Sequence, residues 1–378
     1  MLGRYRRFHF FYFLIAICVV LVIGILWRIE MIGPMGLGQV KLWDFDVYYQ
    51  LARDSWHGIN PYTVSYMQTL GPPLVIAPFL IFAWMPITLA RSVFLWINIV
   101  GWLLSCVVLS GLFSEKKLTR WLITGGLFFG LLLGFPARFT LNVGQPLGLV
   151  TLALTLLLTT QRPAIKGISL ALLIFLKTFF VFPILALMKH EKQTLSWCIL
   201  GLVVMVIGLF PVIRPVAYQT FIKDRLVATT LQKNQARDVD YYNQSLKATL
   251  QRIVLSQWYL PVFLMLIGIS VLVVYKSESV LLGVLTSMLL SPVVWQHYFS
   301  ILLPVIVFLY RDFTPSWKRK VLLLLGVILT NIEFPWLHGK PLTVGYGILA
   351  SHFFWGLLIM IGLVLYHEVY SLHAKPKS

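Results

Sequence analysis

Long apolar runs follow one another along almost the whole chain, each closed by a short polar or basic turn, and this alternation leaves few folds open. Of the 378 residues, 59% are hydrophobic and only 12% are charged, more apolar surface than a water-soluble domain of that length buries. Mean hydropathy is +0.84. The expectation is an all-α polytopic membrane protein. Arg4, Arg6 and Arg7 precede the apolar run from Phe8 to Trp27, as in a signal peptide. That run is too long for one and no small-residue cleavage site follows, so it reads as an uncleaved first span. The net charge of +18 would suit nucleic acid if it lay on one soluble face. Here the cations sit in turns between apolar runs, which marks topology instead, and no nucleic-acid partner is expected. Cys18, Cys106 and Cys198 all lie inside apolar runs and read as small buried hydrophobes.

The basic residues before the first span, about Phe10 to Trp27, put the N-terminus in the cytoplasm and residues 28 to 72 outside. Pro73 to Pro86 is too short to cross the hydrocarbon, where about 20 residues are needed, and is read as a juxtamembrane or re-entrant helix. Thr88 to Phe113 then returns Lys116, Lys117 and Arg120 to the cytoplasm, so the first external loop covers residues 28 to 87. Spans follow at about Trp121 to Phe135 and Leu147 to Thr160, joined by the external turn ARFTLNVGQ. Gly167 to Met188 has basic residues on both flanks, Arg162 and Lys166 before it and Lys189 and Lys192 after it. A hairpin of two short helices with its tip near Leu176, Lys177 and Thr178 satisfies that pattern. A single helix with a buried lysine is the competing picture. After a span at Leu195 to Val212, the polar segment 213 to 257 is external and holds more cations than acids, which suits an anionic ligand. Later spans at about Trp258 to Tyr275, Val280 to Trp295, Tyr298 to Tyr310, Lys320 to Phe334 and Gly345 to Tyr366 bring the total to about eleven or twelve. Both termini are then cytoplasmic, and residues 1 to 378 form one membrane domain.

Among so few charges, WDFDVYYQLARDSWHGINPY, residues 43 to 62, stands apart: it puts Asp44 and Asp46 in an irregular or strand-like loop beside the membrane surface, and Asp54 on a short amphipathic helix. A carboxylate whose ordinary pKa is about 3.9 is ionised at neutral pH and can take a hydroxyl proton held within reach. Asp44 is read as such a base. Asp46 and Asp54 have a bland alternative, pairing with Arg53 or capping a turn. Cations or amides that could meet an anionic substrate on the same side are Arg138 and Asn142 in ARFTLNVGQ, Lys177, and Asn243, Gln244, Lys247 and Arg252 in NQSLKATLQR. The spacing of Lys247 and Arg252 sets them about 140° apart on a helix. For each cation taken alone, a lipid head group or a structural partner explains it equally well. His297 in SPVVWQHY can donate to phosphate or move a proton, or simply mark the interface. Glu333 and His338 are weaker candidates. The chain has no nucleotide loop, dinucleotide fingerprint, HExxH or serine elbow, and no metal cluster is legible.

Taken together, DFDVYYQLARDSWHGINPY, GPPLVIAPF, NVGQ, LKTFFVFP, NQSLKATLQR and SPVVWQHY resemble, in order, the motifs of glycosyltransferase family 87, the polyprenol-phosphate-mannose-dependent mannosyltransferases with the GT-C membrane fold. The resemblance implies Asp44 as base, with Gln145, Lys177, Asn243, Gln244 and His297 as polar contacts; Asp46, Tyr48, Arg138, Asn142, Lys247 and Arg252 complete the substrate-binding set expected here. Gln296-His297-Tyr298 departs from the two histidines, or acid and histidine, common at that place. The implied reaction is inverting transfer of a hexose, mannose by resemblance, from a polyprenyl-phosphate donor to an acceptor hydroxyl on the extracytoplasmic side of a bacterial cytoplasmic membrane. The acceptor is a glycolipid, a polysaccharide or a protein, membrane lipids surround the chain, and neither metal nor other cofactor is expected. A lipid-linked saccharide flippase, or a glycan polymerase or ligase with a diphosphate-linked donor, are the alternatives.

Overall fold

The computed structural model describes residues 42–63, 73–226, 241–253, 256–313, 316–337 and 344–374. The expected first span, Phe10 to Trp27, lies outside these residues, as do His338 and part of the 213 to 257 loop. Helix makes up 79% of the structure, and among the described residues there is no strand, so the all-α expectation holds. In chain order the helices are α1 (Trp43–Trp56), α2 (Ala77–Leu80), α3 (Ile87–Ser110), α4 (Lys117–Leu133), α5 (Phe135–Val143), α6 (Leu147–Thr159), α7 (Pro163–Leu176) and α8 (Phe182–Leu187). They continue with α9 (Lys192–Leu209), α10 (Pro215–Thr220), α11 (Leu246–Arg252), α12 (Tyr259–Ser277), α13 (Val280–Leu290), α14 (Leu303–Phe308), α15 (Trp317–Leu329), α16 (Val344–Ala350) and α17 (His352–Ala374).

Three of these, α3, α9 and α12, are long and apolar enough to cross a membrane unbroken, or up to five if the bent pairs α4–α5 and α16–α17 each count as one. The eleven or twelve spans predicted from hydropathy are therefore not reached by length and composition among the described residues. The reason is that several apolar runs fold as broken helices. The run leading to ARFTLNVGQ bends by 67° between α4 and α5, and the last run bends by 62° between α16 and α17. ARFTLNVGQ itself is not a turn: residues up to Val143 form α5, with Pro136 near its start, where a missing N–H costs nothing. Likewise, Gly167 to Met188 is two helices separated at Lys177, not one helix that carries the lysine in its middle.

The first loop also differs from the reading above. Asp44 and Asp46 lie in the first turn of α1, where carboxylates face the helix's positive end, rather than in an irregular strand. Leu42 precedes the helix in a left-handed conformation (φ 50°). Phe45, Tyr49 and Ala52, spaced for one helical face, are buried. Phe45 sits 4.7 Å from Phe94 on α3 and 5.8 Å from both Phe79 and Phe82, ring centre to centre. Trp56 and Trp84 are exposed and meet edge-on at 4.8 Å, as aromatic side chains do at a membrane interface. The amphipathic α1 is thus clamped onto the start of α3 and the short helix α2.

Small residues let α3 and α6 cross closely. A Cβ on Gly148 would come within 2.2 Å of the Asn98 carbonyl oxygen, and one on Gly101 within 2.7 Å of the Gly148 backbone. Asn98 reinforces the crossing by accepting the Gly148 N–H at 2.8 Å. Elsewhere, Lys166 pairs with Glu191, and Lys189 (3.0 Å) and His190 (3.2 Å) with Glu278, which ties three turns of the bundle together.

Candidate active site

Four helix breaks converge on Asp44. The first is the start of α1 itself, docked by the Leu42 N–H donating 2.7 Å to the Asn142 carbonyl at the end of α5. The second is the link between α5 and α6. Gly144 turns it in the left-handed region (φ 82°), and a Cβ there would lie 2.6 Å from the Phe45 Cβ, so a side chain is excluded on two counts. The chain leaves that turn with Gln145 facing Asp44. The third break is Lys177 after α7, and the fourth is the tight helical turn Gln296–Leu302, which carries His297 and Tyr298.

These breaks build one row of polar groups. Gln145 Nε2 donates to Asp44 Oδ2 at 2.5 Å, and Lys177 Nζ donates to Gln145 Oε1 at 2.9 Å. The Lys177 ammonium also stands 4.1 Å from the centre of the Tyr298 ring. Acid and ammonium are thus bridged by one amide rather than joined in an ion pair. Gln145 and Lys177 are both buried. Burial pushes the Asp44 carboxyl above its ordinary value, and the Gln145 hydrogen bond and the Lys177 charge pull it part of the way back. Such a carboxyl accepts a proton more readily than a solvated one while remaining able to ionise.

His297 adjoins the row, its ring centre 4.7 Å from that of Tyr298 and 5.3 Å from that of Phe139 on α5. It is only 3% exposed, and neither ring nitrogen is bonded to another described protein group. A buried polar ring left so in a protein calls for a partner. Its backbone is fixed by the Thr140 hydroxyl, which donates to the His297 carbonyl at 3.2 Å. Arg138 and Asn142, four residues apart on α5, share one face of that helix. Tyr48, on α1 four residues beyond Asp44, stacks on Phe79 at 4.9 Å.

Asp46 has different company: Arg91, in the second turn of α3, donates to it through Nε at 2.8 Å and through its Nη2. The partner is thus Arg91 and not Arg53, which was one of the alternatives for it. Arg53 instead lies 5.9 Å from the Tyr49 ring. Asp54 accepts from Gln50 at 3.0 Å.

A second group forms around residues 241–252. Asn243 pairs with Trp295 in an isolated bridge, the Gln244 N–H donates 2.6 Å to the Val294 carbonyl, and the Gln296 N–H donates 2.9 Å to the Tyr242 carbonyl. The NQS and SPVVWQHY stretches are therefore held side by side. Gln244 Nε2 donates to the carbonyls of Tyr241 (2.7 Å) and Ala350 (2.8 Å). Arg252 donates to the Asn243 carbonyl (2.6 Å) and the Ser351 hydroxyl (3.1 Å). Lys247 is buried with its ammonium 5.9 Å from the Tyr259 ring. These bonds brace the wall behind His297 and run to backbone and hydroxyl groups rather than along the Asp44 row.

Sequence reasoning assigned no role to Arg91, Thr140 or Tyr298. Arg91 had a signal, a lone cation in the opening turns of an apolar helix. Thr140 had none, because a hydroxyl residue in a membrane protein is ordinary, whereas Tyr298 had one in the Gln296-His297-Tyr298 departure noted above, which gave it no role. No three His, Cys, Asp or Glu side chains stand together in a metal-binding arrangement among the described residues.

A sequence model of glycosyltransferase family 87 matches residues 70–293. That stretch carries Gln145 and Lys177 and stops short of Asp44 on one side and of His297 and Tyr298 on the other. No curated protein and no solved structure matches the chain.

Proposed function

Since the chain belongs to glycosyltransferase family 87 and is a membrane glycosyltransferase, we propose that it transfers a hexose, mannose, from a polyprenyl-phosphate donor to an acceptor hydroxyl at the extracytoplasmic surface of a bacterial cytoplasmic membrane. One observation carries this reading: the row Asp44–Gln145–Lys177 sets a carboxylate and an ammonium one amide apart. Transfer from a phosphate-linked sugar needs both, a base for the incoming hydroxyl and positive charge for the departing phosphate.

In this mechanism Gln145 holds Asp44 Oδ2, and Oδ1 takes the acceptor proton. The acceptor oxygen bonds to the anomeric carbon from the face opposite the phosphate. The carbon–oxygen bond to phosphate breaks, its electron pair leaves on polyprenyl phosphate, and the configuration inverts. Lys177, held beside the site but not neutralised by Asp44, stabilises the growing phosphate charge. His297 supplies a further donor to the phosphate or sugar, which suits its two unbonded ring nitrogens. Tyr48, Arg138 and Asn142 flank the acceptor and donor sugars. Asn243, Gln244, Lys247 and Arg252 shape the wall that carries His297, while Asp46 serves through Arg91 to fix α1 against α3. A monophosphate leaving group held by protein cations needs no metal, and none is assigned a role.

The test is membranes containing this protein, supplied with labelled polyprenyl-phosphate mannose and a lipid extract, with products weighed by mass spectrometry. The expected result is an acceptor heavier by one hexose and released polyprenyl phosphate. Transfer from a different lipid-linked sugar but none from the mannose donor would overturn the choice of sugar. Labelled donor crossing the bilayer with no new glycosidic bond would overturn the reaction.

A further inference from the structure

Lys177 is buried, and a buried ammonium left without partners would lose its proton or destabilise the fold. Among the described contacts of its Nζ, one is the Gln145 side-chain carbonyl and the other is the ring of Tyr298, 4.1 Å from the centroid. The ring cannot easily turn away. It stacks on Phe179, from the same turn as Lys177, with centroids 5.8 Å apart and planes 22° from parallel, and it meets the His297 ring at 4.7 Å nearly at right angles. The backbone on both sides is pinned, Tyr298 N–H to the Trp295 carbonyl at 2.9 Å and Phe180 N–H to the Lys177 carbonyl at 3.1 Å.

We propose that Tyr298 is a positioning residue whose ring face keeps the Lys177 ammonium charged and seated against Gln145, one amide away from Asp44, so that the cation faces a phosphate without collapsing onto the base. This rests on the assignment of Asp44 and Lys177 made above. The ring carries a negative face with no formal charge, so it stabilises the ammonium without competing with an anionic substrate as a carboxylate would. A desolvated ammonium over an aromatic ring gains an energy of the same order as a hydrogen bond to a charged group, so the ring adds to what the Gln145 carbonyl supplies.

Tyr298→Phe and Tyr298→Leu separate the ring from the hydroxyl, and two readouts separate this proposal from the reaction assignment. In the first, the full chain is produced with 13C,15N-labelled lysine and the Lys177 side-chain signal, assigned with Lys177→Arg, is followed across pH by NMR. Tyr298→Phe should titrate as the parent does, and Tyr298→Leu should lose its proton about one pH unit lower. In the second, transfer from polyprenyl-phosphate mannose is measured; Tyr298→Leu should raise the KM for donor and lower kcat by about tenfold, and Tyr298→Phe should retain most of both. Equal Lys177 titration in Tyr298→Leu and the parent overturns the clamp, whether or not transfer occurs. A shifted titration in a chain that transfers nothing from that donor sustains the clamp and sinks the donor assignment.

Discussion

Asp44 and Asp46 are two residues apart on one helix turn, and their neighbours give them different work. Asp46 meets Arg91, in a pair whose side chains are 31% and 39% exposed, so solvent screens it and the pair contributes about 1 kcal/mol at most. Asp44 meets a neutral amide and, across it, a buried cation. Asp44→Asn is therefore expected to cut transfer by about 10²- to 10⁴-fold, the usual worth of a positioned base, and Asp46→Asn far less. Because the folded Asp44 carboxyl lies above its ordinary value, the folded protein holds a proton that the unfolded chain has released, and stability falls as pH rises through that window. Asp44→Asn should then leave the thermal midpoint at neutral pH unchanged or raised, a combination of lost activity and kept stability that a structural role would not give. The same shift sets the pH profile. The rising limb of kcat/KM should lie above the normal carboxylate range of about 3.9, and Lys177→Met, which removes a charge that favours the ionised form, should move it to higher pH.

At the scale of elements, the site is made from helix ends, and the glycines decide where those ends fall. Gly144 adopts φ 82° against Phe45, the residue next to Asp44. Gly144→Ala would strain the turn and press on α1, at a cost of about 1–3 kcal/mol. It should lower the thermal midpoint and, by displacing Gln145, lower transfer with it. Gly148→Ala, at the crossing of α3 and α6, should lower the midpoint as well, since the added methyl meets the Asn98 backbone rather than a flexible side chain. Position along the chain gave away part of this. Lys177 was legible because basic residues on both sides of Gly167 to Met188 favour a break over a single helix with a buried lysine, and a helix break is what the structure has. The α5 helix was not legible, because ARFTLNVGQ is polar enough to look like a turn and its helical state depends on packing against the Gln296–Leu302 segment.

For the whole molecule, the charge pattern predicts which end faces the cytoplasm. His57→Cys, beyond α1, should react with an impermeant maleimide added to intact cells, or to spheroplasts where an outer membrane intervenes, and Lys117→Cys, at the start of α4, only after the cytoplasmic membrane is opened; the reverse pattern would invert the proposed orientation. Sequence alone determined that the chain is helical and membrane-embedded, because apolar runs with so few charges have no other stable solution, and it determined the ordered motifs by which the family was anticipated. It also ranked Asp44 and Lys177 as chemical groups. Only the tertiary structure decided that one amide separates them, that Arg91 occupies Asp46, and that the Tyr298 ring lies against the ammonium. Those facts depend on contacts between residues 32 to 121 positions apart, for which periodicity and hydropathy carry no information.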